Sequence, residues 1–249
     1  MNLIPPADIE WKQVNYLRQG QTFEYDYRLW LNEPLASWDV WDYWERERIE
    51  SMRTHLKQGD ILFDIGTEQG WCNLVYAQMV GPENMVLIEP TPEFWPNIKA
   101  LWEKNFDKRP LAFYDGLFSD KTTDIQRGAR NFDAWPMAAA GDLIDRNKYV
   151  YIHEEHQGVP EITLDDYVAR TGIIPTALTM DTEGSELLIL RGAEDTLRRH
   201  KPKLFISIHP DLGERDYGVK PQQVHDFLTG LGYSGEYLAT DHEEHWYFS

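Results

Sequence analysis

The sequence predicts an α/β protein: a mostly parallel seven-stranded sheet with an antiparallel edge strand, helices on both faces, and an N-terminal helical extension. Three observations carry this prediction. From residue 60 onward, apolar runs of strand length alternate with amphipathic stretches of helix length. A turn containing two glycines follows the first of those runs. The last two strand-like runs have no helix between them, which makes them antiparallel neighbours.

The elements follow in order. "ILFDIG" reads as a buried strand and "WCNLVYAQMV" as a helix; "NMVLIEP" is a second strand. "TPEFWPNIKALWEKN" is expected to start a helix with Thr91 as N-cap and Pro92 at the first helical position, Pro96 disturbing its first turn. "LAFYDGLFSD" gives a third strand and a turn. In "TLDDYVART", Thr163 and Asp166 match the Ser/Thr-x-x-Asp/Glu capping pattern. "TALTMD" is a fourth strand, "EGSELLILRGAEDTLRRH" one long amphipathic helix, and "KLFISIHP" a fifth strand. "KPQQVHDFLTGLGY" is the next helix, and short aromatic strands near "EYLAT" and "HWYFS" close the chain.

Two stretches stand apart. Residues 1–57 form the Trp-rich extension, with a helix expected from about Asp39 to Lys57 and an apolar stripe of Trp41, Trp44, Ile49, Met52 and Leu56. Its aromatic residues suit either a stacking surface for a substrate or a cap packed on the same domain. Residues 58–249 form the main domain, interrupted at about 121–160 by an excursion of weak periodicity, either a substrate-facing lid or a structural insertion.

Composition narrows the partners. The 249 residues include 24 Lys+Arg and 42 Asp+Glu, a net charge of −18. A surface this acidic repels phosphate backbones and anionic membranes, so neither nucleic acid nor membrane is expected as a partner. The single cysteine, Cys72, allows no internal disulfide and suits a reducing cytosol. Without a signal peptide or a membrane-length apolar run, the expected location is cytoplasmic. Two "HEEH" stretches, His153–His156 and His242–His245, lack the i, i+4 spacing of a helical zinc site and read as solvated acidic segments. "RRHKPK" sits at a helix C-terminus, where cations are favourable.

The glycine turn is the chemical signal. Asp64-Ile65-Gly66-Thr67-Glu68-Gln69-Gly70 is neither a dinucleotide G-x-G-x-x-G turn nor a phosphate-binding loop. Asp64 and Glu68 would repel a pyrophosphate. S-adenosylmethionine has no phosphate and carries a sulfonium and an ammonium, which suit these acids. Glu89 ends the second strand, where an acid accepts hydrogen bonds from ribose hydroxyls.

The stretches "GDILFDIGTEQG", "VLIEPTPEFWPNIKALWEKN" and "ITLDDYV…ALTMDTEGSELLILRGAEDTLRRHKPKLFISIHP" resemble the FkbM family of S-adenosylmethionine-dependent methyltransferases over roughly residues 55–210. The resemblance implies a Rossmann-like class I methyltransferase fold and O-methylation of a hydroxyl on a sugar, polyketide or related small molecule. Expected cofactor contacts are Asp64, Gly66, Thr67, Glu68 and Gly70 in the first turn, and Glu89 at the second strand end. Asp115 and Leu117 after the third strand, and Asp181 after the fourth, complete the set.

An alcohol needs its proton removed. Candidates are His209 as a general base near neutrality, or Asp181 with Glu183 as ligands of Mg²⁺. Two alternatives stay open: N-methylation of an amine or nucleobase, and a catalytically inactive cofactor-binding protein with an interaction role. The reading also leaves homo-oligomerisation open.

Overall fold

A computed structural model describes residues 10–16, 27–37, 45–123, 133–136 and 159–249. Trp38, Trp41, Trp44, most of the 121–160 excursion and the first "HEEH" stretch lie outside the described residues.

The chain begins with a hairpin, β1 (Trp11–Tyr16) and β2 (Tyr27–Asn32), followed by a helical turn α1 (Glu33–Ala36) and helix α2 (Arg46–His55). The extension is therefore part strand, a hairpin that its Trp-rich pattern did not reveal. Then come β3 (Leu62–Ile65), α3 (Cys72–Val80), β4 (Met85–Ile88), α4 (Trp95–Asn105) and β5 (Ala112–Tyr114). A short parallel pair follows, β6 (Leu117–Phe118) with β7 (Glu161–Ile162). Helix α5 (Leu164–Thr171), β8 (Ala177–Asp181), α6 (Glu186–Arg191), α7 (Glu194–His200) and β9 (Lys203–Ile208) come next. The last elements are α8 (Pro210–Leu212), a π turn at Gly213–Tyr217, α9 (Pro221–Gly230), β10 (Gly235–Thr240) and β11 (Glu244–Phe248).

The seven-stranded sheet has the order β10-β11-β9-β8-β3-β4-β5. Strands β9, β8, β3, β4 and β5 are parallel. β11 pairs antiparallel with both β9 and β10, so the one reversed strand is inserted beside the edge and the edge strand runs with the rest. From β3 the chain winds outward to β4 and β5, then returns to β8 on the other side. The β3/β8 boundary is therefore a topological switch point, where α/β sheets open a crevice at their carboxyl ends.

Side-chain alternation builds a core on each face. Leu62, Met85 and Leu87 face one way with α3, α4, α2 and the hairpin's Tyr16, Leu29 and Leu31. Phe63, Val86, Ile88 and Met180 face the other with α5, α6 and α9. Strands covered on both sides read as continuous apolar runs, as these do.

Two helix boundaries differ from expectation. α4 starts at Trp95 rather than Pro92, leaving Pro96 within the first turn, where its missing N–H costs nothing. The long helix after β8 breaks into α6 and α7. At Gly192, between them, an added Cβ would stand 2.0 Å from the Ser119 carbonyl oxygen, so the chain there packs backbone to backbone. The Asp165 carboxylate accepts the N–H groups of Asp195 and Thr196 at 3.0 and 2.8 Å, capping α7 as a separate helix. The Thr163 cap forms as read: its hydroxyl accepts the Asp166 N–H at 3.0 Å.

Candidate functional site

A cavity of about 420 Å³ opens at the carboxyl ends of β3, β4 and β8. Asp64, Gly66, Thr67, Glu68, Glu89, Leu117, Asp181 and Glu183 line it. Three expected residues do not. Gly70 shapes the turn from behind, at φ +91° and against Ile98. Asp115 is exposed outside the lining, while its neighbours Gly116 and Leu117 are in it. His209 is buried behind Asp181.

The turn after β3 is held by the strands beside it. Gly66 has φ +88°, and a Cβ there would lie 2.0 Å from the Asp181 carbonyl oxygen, so the β3 and β8 turns touch backbone to backbone. The N–H groups of Gly66 and Thr67 donate to the Ile88 carbonyl at 3.0 and 3.1 Å. A second tether starts in β2: Asn32 donates to Asn97 Oδ1 at 2.6 Å, and Asn97 Nδ2 donates to the Gln69 carbonyl at 2.9 Å.

Glu89 is buried at the end of β4. Its two oxygens accept N–H groups from Glu68 (2.8 Å) and Thr91 (2.7 Å). Each oxygen keeps a second lone pair, so the fixed carboxylate can also take a diol. Burial raises the Glu89 carboxyl to about 7, against the lowering effect of those N–H groups. Burial raises Asp64 likewise to about 7, opposed by the Arg48 charge and the Thr67 hydroxyl.

Four described non-glycine residues have positive φ, and three of them line the cavity: Glu45 (49°), Glu68 (50°) and Glu183 (55°). Left-handed backbone costs a residue with a side chain about 1–2 kcal/mol, and such strain collects at working sites.

Beyond Asp181 lies a buried ionic cluster of which sequence reasoning named only part. Arg48 of α2 points its guanidinium at Glu45 Oε2 (2.5 Å), Thr179 Oγ1 (2.5 Å) and Asp181 Oδ2 (3.4 Å). His209 donates through Nδ1 to Glu186 Oε1 at 2.9 Å, and its Nε2 is 2.8 Å from Glu243 Oε2 and 3.5 Å from Asp181 Oδ1. Burial alone would favour neutral imidazole. The contacts to Glu186 and Glu243, with the Asp181 charge, outweigh it and push His209 up to about 11. A charged imidazole with both nitrogens engaged has no lone pair for a proton, so this geometry favours holding acids in place over the expected base role.

The same cluster bears on Mg²⁺. Asp181, Glu183 and His209 come close enough to suggest a metal site. Ligation through His209 would strip Nε2 of its proton and its Glu243 contact, and Arg48 already pairs with both Asp181 and Glu45. With Arg48 and His209 as cations beside Asp181, a donor set that includes His209 does not fit a divalent ion, which leaves Asp181 and Glu183 as the two carboxylates of the Mg²⁺ expectation.

Glu45, Arg48, Glu186 and Glu243 escaped the sequence reading. Arg48 sits in "WERERIE", which looks like the polar face of a helix. Glu186 reads as an acid favourable to a helix start. Glu243 belongs to the second "HEEH", expected to be solvated; the structure buries Glu243 and His245, because the β10–β11 turn folds back over β9. His245 Nδ1 is 3.0 Å from the Ser207 hydroxyl, and Asp241 accepts the N–H groups of His242 and Glu243.

Comparison with known proteins fits this arrangement. The family model described as the methyltransferase FkbM domain matches residues 64–234. Among curated proteins no sequence matches. An FkbM methyltransferase structure from Methylobacillus flagellatus KT is similar over 78% of this chain and 44% of its own, with 18% identity and a TM-score of 0.53. This chain thus spans less than half of that protein. Fibrillarin from Aeropyrum pernix, solved with S-adenosyl-L-methionine, is similar over 99% of this chain and 86% of its own, with 9% identity and a TM-score of 0.48. A putative rRNA methylase from Clostridium thermocellum has 14% identity over 82% of this chain and 93% of its own, with a TM-score of 0.48. The likeness to the Methylobacillus flagellatus structure is one of fold. With the family model covering more than half of its length, the chain belongs to the FkbM methyltransferase family.

Proposed function

We propose that the cavity binds S-adenosylmethionine and that the protein methylates a hydroxyl of a small molecule or glycan, with Asp181 taking the hydroxyl proton. The observation that carries this reading is the division of the cavity into two ends. At one end Glu89 and the Gly66–Gly70 turn offer a fixed carboxylate and a sharply bent backbone. At the other, Asp181 faces the cavity with its side chain 29% exposed.

S-adenosylmethionine, held by Glu89 and the Gly66–Gly70 turn, would supply an activated methyl for transfer to the acceptor oxygen, with S-adenosylhomocysteine as the other product. Glu89 receives the ribose diol. Asp64 and Glu68 face the cofactor's positive groups. Asp181 receives the acceptor's proton: burial and the nearby Glu243 charge make it more basic than an ordinary carboxylate, while Arg48 and His209 favour its ionised form. Glu183 stands at the mouth, its side chain 45% exposed. The rest of catalysis is alignment and exclusion of water.

Charge also selects the acceptor. Among the described residues the permanently charged cation lining the cavity is Arg48, and it is paired with Glu45 and Asp181. No described cation is left to meet a phosphate or sulfate. That lining favours a neutral or amine-bearing acceptor over a phosphorylated one.

The test is S-adenosylhomocysteine formation over a panel of neutral sugars, amino sugars and sugar phosphates. Neutral or amino sugars should turn over and the phosphates should not. Asp181→Asn should lower turnover about 10²- to 10⁴-fold while S-adenosylmethionine still binds, and EDTA should leave the wild-type rate unchanged. Full turnover by the Asn variant would sink the assignment.

A further inference from the structure

The residues gathered around Asp181 come from both sides of the stretch that carries the family match. Glu45 and Arg48 precede residue 64, and Glu243 follows residue 234. All three are buried and all three line the cavity. Oxygens of Glu45, Asp181 and Glu243 lie within 4.8 Å of one another. Three carboxylates so close cannot all ionise without cations between them. Arg48 and His209 are those cations, Arg48 on one side of Asp181 and His209 bridging Asp181 and Glu243.

This cluster is a costly way to stabilise a fold. A buried ion pair recovers little more than its desolvation penalty, and apolar residues of the same volume serve as well or better. Backbone is also spent on it: Glu45 is held at φ 49°, immediately before α2. The turn presenting Glu243 is braced by Asp241, whose Oδ1 accepts the N–H groups of His242 (2.6 Å) and Glu243 (3.2 Å). These costs converge on one carboxylate that faces the cavity.

We propose that Arg48 and Glu243 are positioning residues for methyl transfer: from opposite sides they fix the orientation and charge of Asp181, so the proton-accepting end of the site is completed by segments on both sides of the family-matched stretch. The proposal rests on the reading of Asp181 as proton acceptor.

The two residues should act with opposite sign. Arg48 favours the ionised form of Asp181, and Glu243 disfavours it. The other groups facing Asp181 are Glu45 before α2, Glu183 in the following turn, His209 at the end of β9 with Glu186 of α6 behind it, and His242 of the β10–β11 turn. Arg48→Met also leaves Glu45 unpaired, and Glu243→Gln leaves His209 to Asp181 and Glu186; each secondary change acts on Asp181 in the same direction as the primary one, so the expected signs stand.

The experiment is a carboxyl-carbon NMR titration of the full chain labelled at aspartate Cγ, with S-adenosylhomocysteine bound. Asp181→Asn identifies the resonance by its loss. Arg48→Met should raise the Asp181 midpoint by about one pH unit and Glu243→Gln should lower it by about as much. Calorimetric affinity for S-adenosylhomocysteine should stay within about threefold. Arg48→Lys, which keeps the charge but not the fork, should move the midpoint the same way as Arg48→Met but less, and it serves if the Met variant does not fold. Coincident midpoints, or shifts of the same sign, would overturn the proposal. Opposite shifts in a protein whose Asp181→Asn variant still turns over the sugar panel would overturn its catalytic purpose and, separately, the base reading.

Discussion

Glu89 shows how the place of one side chain can be read from sequence while its chemistry is altered by its surroundings. Its place at the end of an apolar run, about 25 residues past Asp64, marked it as a ribose ligand. Its protonation was not legible, because burial and the N–H groups of Glu68 and Thr91 exist only in the fold. With Asp64 and Glu89 both raised to about 7, the empty protein favours their protonated forms. The stability they contribute is fully present below the ordinary carboxylate range and is lost as pH rises through about 7. A cationic ligand reverses the preference and drives protons off. S-adenosylmethionine binding should therefore release protons near pH 6, with affinity rising as pH approaches 7. Calorimetry in two buffers of different ionisation enthalpy reads this directly, and heats that do not depend on the buffer would exclude it. His209 teaches the complementary lesson: a histidine at a strand end looked like a neutral base until Glu186 and Glu243 closed on its two nitrogens.

At the scale of elements, periodicity was a sound guide where tertiary contacts agree with it. The continuous apolar runs in "ILFDIG" and "NMVLIEP" become β3 and β4, each packed on both faces. It failed where a local contact decides. The α6–α7 break is set by the Ser119 backbone against Gly192, and the start of α4 by Pro96. The β3 and β8 turns are joined in the same way at Gly66. Gly66→Ala must place a methyl 2.0 Å from the Asp181 carbonyl oxygen in a left-handed backbone. It should destabilise the protein by ~2–5 kcal/mol in urea unfolding and disturb Asp181 with it. A variant of wild-type stability would mean that the two turns do not touch.

For the whole molecule, the parallel sheet and its switch point came from strand–helix alternation, which is a property of long segments. The joining of distant segments at one site did not, because no local pattern reports it. "WERERIE" and "HEEH" look like solvent-facing charge, and they meet only when α2 and the β10–β11 turn pack against the end of β8. The acidic composition, by contrast, is a property of the whole chain and disfavours phosphate partners before any fold is considered. No described helix is long and apolar enough to cross a membrane. The central claim is that this crevice holds S-adenosylmethionine with Glu89 on the ribose. Calorimetric titration of wild type and Glu89→Ala with S-adenosylmethionine and with NAD tests it most directly. The account predicts binding of S-adenosylmethionine but not NAD by wild type, and an affinity loss of about 10- to 100-fold in the variant. Binding of NAD in preference to S-adenosylmethionine, or equal affinity in the variant, would contradict it.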